Sequence, residues 1–231
     1  SNIYDIRSYF FFTMTFWVFD AMFTALTAFP SERTVILKER AGASYRLSAY
    51  FLAKTTADAP VRLILPLLYM IVSFWMSGIR NNARIFFGTL GCTLLSVLAG
   101  EAIGLFIGAA VYDLQKGLTI MTVLTLFLML LGGFFVENVP VFIEWGKFVS
   151  PFKYAFDASL LLVFDEPVPC DGSGLEEICT DDVEFAETAQ VHNDLGIQGS
   201  MGFNVGLLVV MSFVPRYFAY LALRSKKASE R

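Results

Sequence analysis

The sequence predicts an all-α, polytopic membrane protein, and three observations point there. Only 16% of the 231 residues are charged while 56% are hydrophobic, against about 25% charged in an ordinary soluble domain. The charges also lie in islands. None falls between Arg62 and Arg80, between Lys116 and Glu137 or between Asp194 and Arg216, and Glu101 alone falls between Arg84 and Asp113. Apolar stretches of about 20 residues match the hydrocarbon core for a helix rising about 1.5 Å per residue, whereas the helices of a soluble bundle keep a polar face. Finally, the signs of charge are segregated, so the net −4 conceals one basic and one acidic region.

The first span is expected over about 9–29, crowded with aromatic residues such as Phe10, Phe16, Trp17 and Phe23. Pro30 is expected to end it, because proline cannot continue the hydrogen-bond ladder of a helix interior. Residues 30–59 are predicted to form cytoplasmic connecting helices, divided at Gly42, with Ser44 capping the second piece. This stretch sets Arg33, Lys38, Arg40, Arg46 and Lys54 against Glu32, Glu39 and Asp58. Such an excess of Lys and Arg between two spans marks the cytoplasmic side.

The second span is expected over about 60–78, with Pro60 tolerated in its first turn. The third covers about 85–112, after a tight turn from Arg80 to Arg84, and the fourth about 118–136, after the turn Asp113-Leu-Gln-Lys116. From 137 to 164, Pro140, Pro151 and scattered charges interrupt an otherwise apolar sequence. That pattern predicts a re-entrant hairpin, admissible only where protein or water covers its backbone. Residues 165–200 are expected to form an extracellular loop, with ten acidic and no basic residues from Asp165 to Asp194, which meets no positive-inside barrier to translocation. Cys170 and Cys179 could close a disulfide there in an oxidising compartment; the alternative is two free thiols. The fifth span, about 201–223, runs into the basic stop Arg224-Ser-Lys-Lys.

Five spans put the basic stretch and the basic tail on one side and the acidic loop on the other, with Arg80 and Arg84 against the trend. The odd number places the N-terminus outside and predicts a further span upstream of Ser1. No catalytic constellation emerges. His192 is the one histidine and lies in the acidic loop, so neither a histidine zinc site nor a conventional triad can be built in the membrane. A solvated loop position is expected for it. No basic face for nucleic acid is present, and no metal site is expected.

Two features of the spans ask for partners. Gly100, Gly104 and Gly108 recur every four residues, a spacing that lets a neighbouring helix approach closely. Asp20 and Glu101 are the deepest acids, roughly 14–17 Å from the cytoplasmic ends at helical rise. An ionisable group at that depth faces a cavity or a partner.

Phe29-Pro-Ser-Glu-Arg33, Lys38-Glu-Arg40, Tyr45-Arg-Leu-Ser-Ala-Tyr50 and Asp58-Ala-Pro60 resemble the ABC-2 type membrane domain of ABC transporters of the G (White) subfamily. Gly104-Leu-Phe-Ile-Gly-Ala109, Gly132-Gly-Phe-Phe135 and Pro151-Phe-Lys-Tyr154 extend the resemblance in order along essentially the whole chain. The resemblance implies a half-transporter with six transmembrane helices, of which five are present here. It implies an upstream nucleotide-binding domain holding ATP and Mg, and a second half-transporter as homo- or heterodimer partner. No Gly-x-x-x-x-Gly-Lys-Ser/Thr run occurs in the chain, so its own residues do not fit a nucleotide phosphate cradle.

The resemblance also assigns roles. Thr13, Phe16, Trp17, Asp20 and Thr24 would line a substrate cavity, opposite Thr122, Thr125, Leu126 and Met129. Phe134 and Phe135 match an extracellular valve, although phenylalanines stand where multidrug members commonly have aliphatic residues. Glu32, Arg33, Lys38, Glu39 and Arg40 match the helix that couples to the nucleotide-binding domain. The function implied is ATP-driven export of lipid-like or amphipathic small molecules, from an integral protein of the plasma membrane in contact with its lipid. Composition alone leaves a non-ABC protein open: a facilitative carrier, channel subunit or receptor.

Overall fold

The computed structural model describes residues 3–41, 47–79, 82–111, 113–132, 144–169, 185–197 and 199–225. Among them run seven α-helices. Four are long and apolar enough to cross a membrane: Ile3–Ala28 within α1 (Ile3–Ala41), α2 (Leu47–Met76), α3 (Ala83–Ala110) and α7 (Met201–Ser225). Helix α4 (Leu114–Leu130) is apolar but has only 17 residues, about 25 Å of rise. The all-α expectation is met, with one two-residue ladder pairing Val168–Pro169 with Phe185–Ala186.

Helix boundaries differ from expectation at the prolines. Helix α1 does not stop at Pro30 but runs 39 residues to Ala41, and α2 contains Pro60 and Pro66 in its interior. Residues 30–41 and 47–59, expected as separate connecting helices, are thus the end of α1 and the start of α2. A proline removes one backbone bond, and membrane helices accommodate this because neighbouring helices and hydroxyl side chains re-satisfy the freed groups. Two other boundaries follow local chemistry. Asn82 caps α3 by accepting a bond from the Arg84 amide at 3.1 Å, and Asp113 caps α4 through the Gln115 amide at 3.0 Å, as short polar side chains do at helix starts.

Helix α3 is the axis of the molecule, packed between α1 and α7 and touching α5 (Pro151–Val163). Its glycine row sits directly on α1. A Cβ at Gly100 would come 2.9 Å from the Val18 carbonyl oxygen, and one at Gly104 or Gly108 would strike the carbonyl of Met22 or Leu26. The row is a packing surface.

Within the stretch expected as a re-entrant hairpin, the described part is a 3-10 turn, Glu144–Val149, followed by α5. Every residue of α5 from Pro151 to Leu160 is buried, Lys153 and Asp157 included. Its short backbone is covered by protein. Helix α6 (Thr188–Asp194) docks beside it through Val191, which joins the same apolar cluster as Phe156 and Leu160. His192 is therefore not simply a solvated loop residue: its Nε2 lies 3.0 Å from the Phe164 carbonyl oxygen.

Candidate functional site

The α1 stripe divides by face. Phe12, Phe16, Phe19, Asp20 and Thr24 are exposed, with Phe16 51% accessible. Phe12 stacks on Phe16, and Phe19 on Phe23 at 4.4 Å between centroids. Thr13 and Trp17, expected beside them in a cavity, turn inward instead. The Thr13 hydroxyl is 3.2 Å from that of Tyr69 on α2, and Trp17 meets the Tyr69 ring edge-on at 5.6 Å. The Trp17 Nε1–H is buried with no acceptor among the described residues. The helical period explains the split: residues 13 and 17 share one flank, whereas 12, 16, 20 and 24 form a row at spacing four.

On α4 the expected stripe divides the same way. Thr122 and Leu126 are exposed. Thr125 is fully buried, its hydroxyl 3.4 Å from the Met22 sulfur of α1. Met129 is half-buried against the cluster containing Met22, Leu26, Met121 and Leu128. Helices α1 and α4 are therefore neighbours, and each carries some expected cavity residues outward and some into their shared packing.

Glu101 is where the structure adds most. It is 1% exposed, and two guanidinium groups converge on it. Arg216 of α7 donates from Nη2 to Oε2 at 2.7 Å, and the Arg62 Nε of α2 stands 3.3 Å from Oε1. Arg62 also donates from Nη1 to the Thr24 hydroxyl at 2.7 Å, and that hydroxyl donates to the Asp20 carbonyl oxygen at 2.8 Å. Arg216 further donates to the Ser212 carbonyl oxygen at 3.1 Å. A polar chain thus runs from the outward face of α1 through α2 and α3 to α7, across an apolar interior. Two arginines on one carboxylate leave an excess positive charge.

Sequence reasoning singled out Glu101 but not Arg62 or Arg216, which look like the polar ends of apolar runs. The available signal was depth: a buried carboxylate requires a cation at matching height, and both arginines lie well inside their helices. Asp20 carries its carboxylate on the exposed face with no ion pair to another described residue.

Glu32, Arg33, Lys38, Glu39 and Arg40 fall in the last three turns of α1, on a helix continuous with the first span. Phe134 and Phe135, and Cys170 and Cys179, lie outside the described residues, as does Ser44.

This is an integral, helical membrane domain built around a central glycine-faced helix and a buried charge cluster. The family model described as ABC-2 type transporter matches residues 1–164, and the chain belongs to that family. Among curated relatives, it is 39% identical to ABC transporter G family member 22 of Arabidopsis thaliana over 98% of this chain and 27% of that protein. It is 28% identical to Protein white of Drosophila melanogaster, over 96% of this chain and 32% of that protein. It is also 28% identical to the ABC transporter ATP-binding protein/permease wht-1 of Caenorhabditis elegans, over 89% of this chain and 31% of that protein. The chain thus spans about a third or less of the length of these relatives.

Proposed function

We propose that this chain is the membrane domain of an ATP-driven exporter that moves lipid-like or amphipathic small molecules. The energy would come from ATP, with Mg, in a nucleotide-binding domain outside the chain. The observation that carries this is the outward face of α1, where stacked phenylalanines surround one carboxylate, Asp20. Aromatic surface takes up the apolar part of a cargo, while Asp20 orients a polar or cationic group. An acid on a membrane-spanning face is expensive unless a cavity or partner receives it. A second half-transporter, identical or related, supplies the opposite wall, with Thr122 and Leu126 of α4 contributing beside α1. Phe134 and Phe135 would close this cavity on the outer side. The name of the wht-1 relative, an ATP-binding protein/permease, fits an energy source on the same polypeptide, and the plasma membrane is the proposed location.

The test is transport by the full-length protein in inside-out vesicles. Fluorescent amphiphiles should accumulate with ATP and not with a non-hydrolysable analogue. Accumulation that ignores ATP, or dissipates with the cargo gradient alone, would return the protein to the facilitative carriers.

A further inference from the structure

Away from the α1 face, the first three turns of α2 and the inner half of α7 splay apart over α3. The gap is a groove of about 680 Å³, within the range of roughly 300–1,000 Å³ typical of small-molecule sites. Leu98 forms its floor, Leu52 and Phe213 its apolar walls. Phe51 and Tyr220 face each other across one end, 5.9 Å between ring centroids.

The groove is apolar but not featureless. Ser48, Thr56, Tyr217 and Tyr220 line it, and none of their hydroxyls has a partner among the described residues. Arg216 also lines it, and this arginine shares Glu101 with Arg62. The nearby Lys54 and Asp58 pair with one another at 3.5 Å. Of the Glu101 cluster, Arg216 alone reaches the groove, with Arg62 and Glu101 behind it, and O–H donors line the walls beside it. The groove's complement is an anion attached to an apolar chain. The charge count places this half of α2 and α7 toward the cytoplasm, and basic clefts between transmembrane helices on that side suit acidic lipid headgroups.

We propose that the α2–α7 groove holds one anionic phospholipid of the inner leaflet, its phosphate on Arg216 and neighbouring hydroxyls, its acyl chain along Leu98 and Phe213. The lipid completes the charge balance of the Glu101 cluster from outside the cargo face. The site stands whether or not the protein exports amphiphiles.

The test uses the full-length protein, delipidated in mild detergent and titrated with phosphatidylserine or phosphatidylcholine of identical chains, with adducts read by native mass spectrometry. One phosphatidylserine should be retained at least tenfold more tightly than phosphatidylcholine. Thr56→Trp, at an exposed position on the groove wall, should remove that adduct, and Arg216→Gln should abolish the headgroup preference. Equal retention of the two lipids, or a preference that survives Thr56→Trp, overturns the proposal. A Thr56→Cys variant separates the remaining occupants. Its thiol should react with a maleimide after delipidation and be protected by phosphatidylserine alone. A thiol that stays unreactive in delipidated protein means that another protein segment fills the groove, which also overturns it.

Discussion

Glu101 sets the energetics at the scale of single residues. Removing one member of a buried ion pair leaves an uncompensated charge and costs about 3–5 kcal/mol, whereas replacing the whole set by apolar residues is often neutral or stabilising. Glu101→Gln should therefore lower the midpoint of dodecyl sulfate unfolding markedly in the full-length protein. The triple change Arg62→Leu, Glu101→Leu and Arg216→Met should recover most of it. A Glu101→Gln protein as stable as the parent would mean that the arginines find other partners. Gly104 is the second sensitive point, because its missing Cβ is occupied by the Met22 carbonyl. Backbone cannot give way as a side-chain tip can, so Gly104→Leu should cost on the order of 1–3 kcal/mol or more. Gly91, where an added Cβ meets nothing within 4 Å, is the control: Gly91→Ala should leave the unfolding midpoint within error.

At the scale of elements, α1 joins the outward phenylalanine face to the charged turns at 32–40 without a break. Contact with a nucleotide-binding domain at those turns would be transmitted along one helix rather than across a loop. Replacing Glu39 and Arg40 together by Ala should uncouple ATP hydrolysis from transport, read as cargo-stimulated ATPase against vesicle uptake. Unchanged values of both would remove residues 32–40 from coupling. The apolar runs that became α3 and α7 were legible because uninterrupted hydrophobic length is a physical requirement of the bilayer. The continuity of α1 and α2 was hidden behind Pro30, Pro60 and Pro66. A helix can pass through a proline at the cost of one backbone bond, so a proline within an apolar run does not by itself fix a boundary. The candidate site was legible in part for a similar reason. Spacing grouped Thr13, Trp17 and Thr125 with exposed neighbours, but only the positions of α2 and α1 decide that they point inward at Tyr69 and Met22. Glu101 was visible as a problem of charge at depth, whereas its solution required knowing which helices lie beside it.

For the whole molecule, the central fact is asymmetry of covering. Helix α3 is enclosed by α1, α5 and α7, while α2 and α7 keep most of their surface free. If the free α1 face with Asp20 receives cargo between two subunits, Asp20→Asn should change the ranking of transported compounds while leaving surface expression intact. Identical export across a panel of cationic, neutral and anionic amphiphiles would reduce Asp20 to a bystander. The exposed carboxylate also bears on how the protein is assembled. If a second subunit covers that face, a lone subunit would set Asp20 against lipid, at about 2.5–3.5 kcal/mol on insertion scales, a bias of roughly 70- to 400-fold against the solitary form. The bilayer then acts as an inspector of assembly: newly made subunits that find no mate are the ones it tolerates least, and they should be cleared faster than an Asp20→Asn version expressed at the same level.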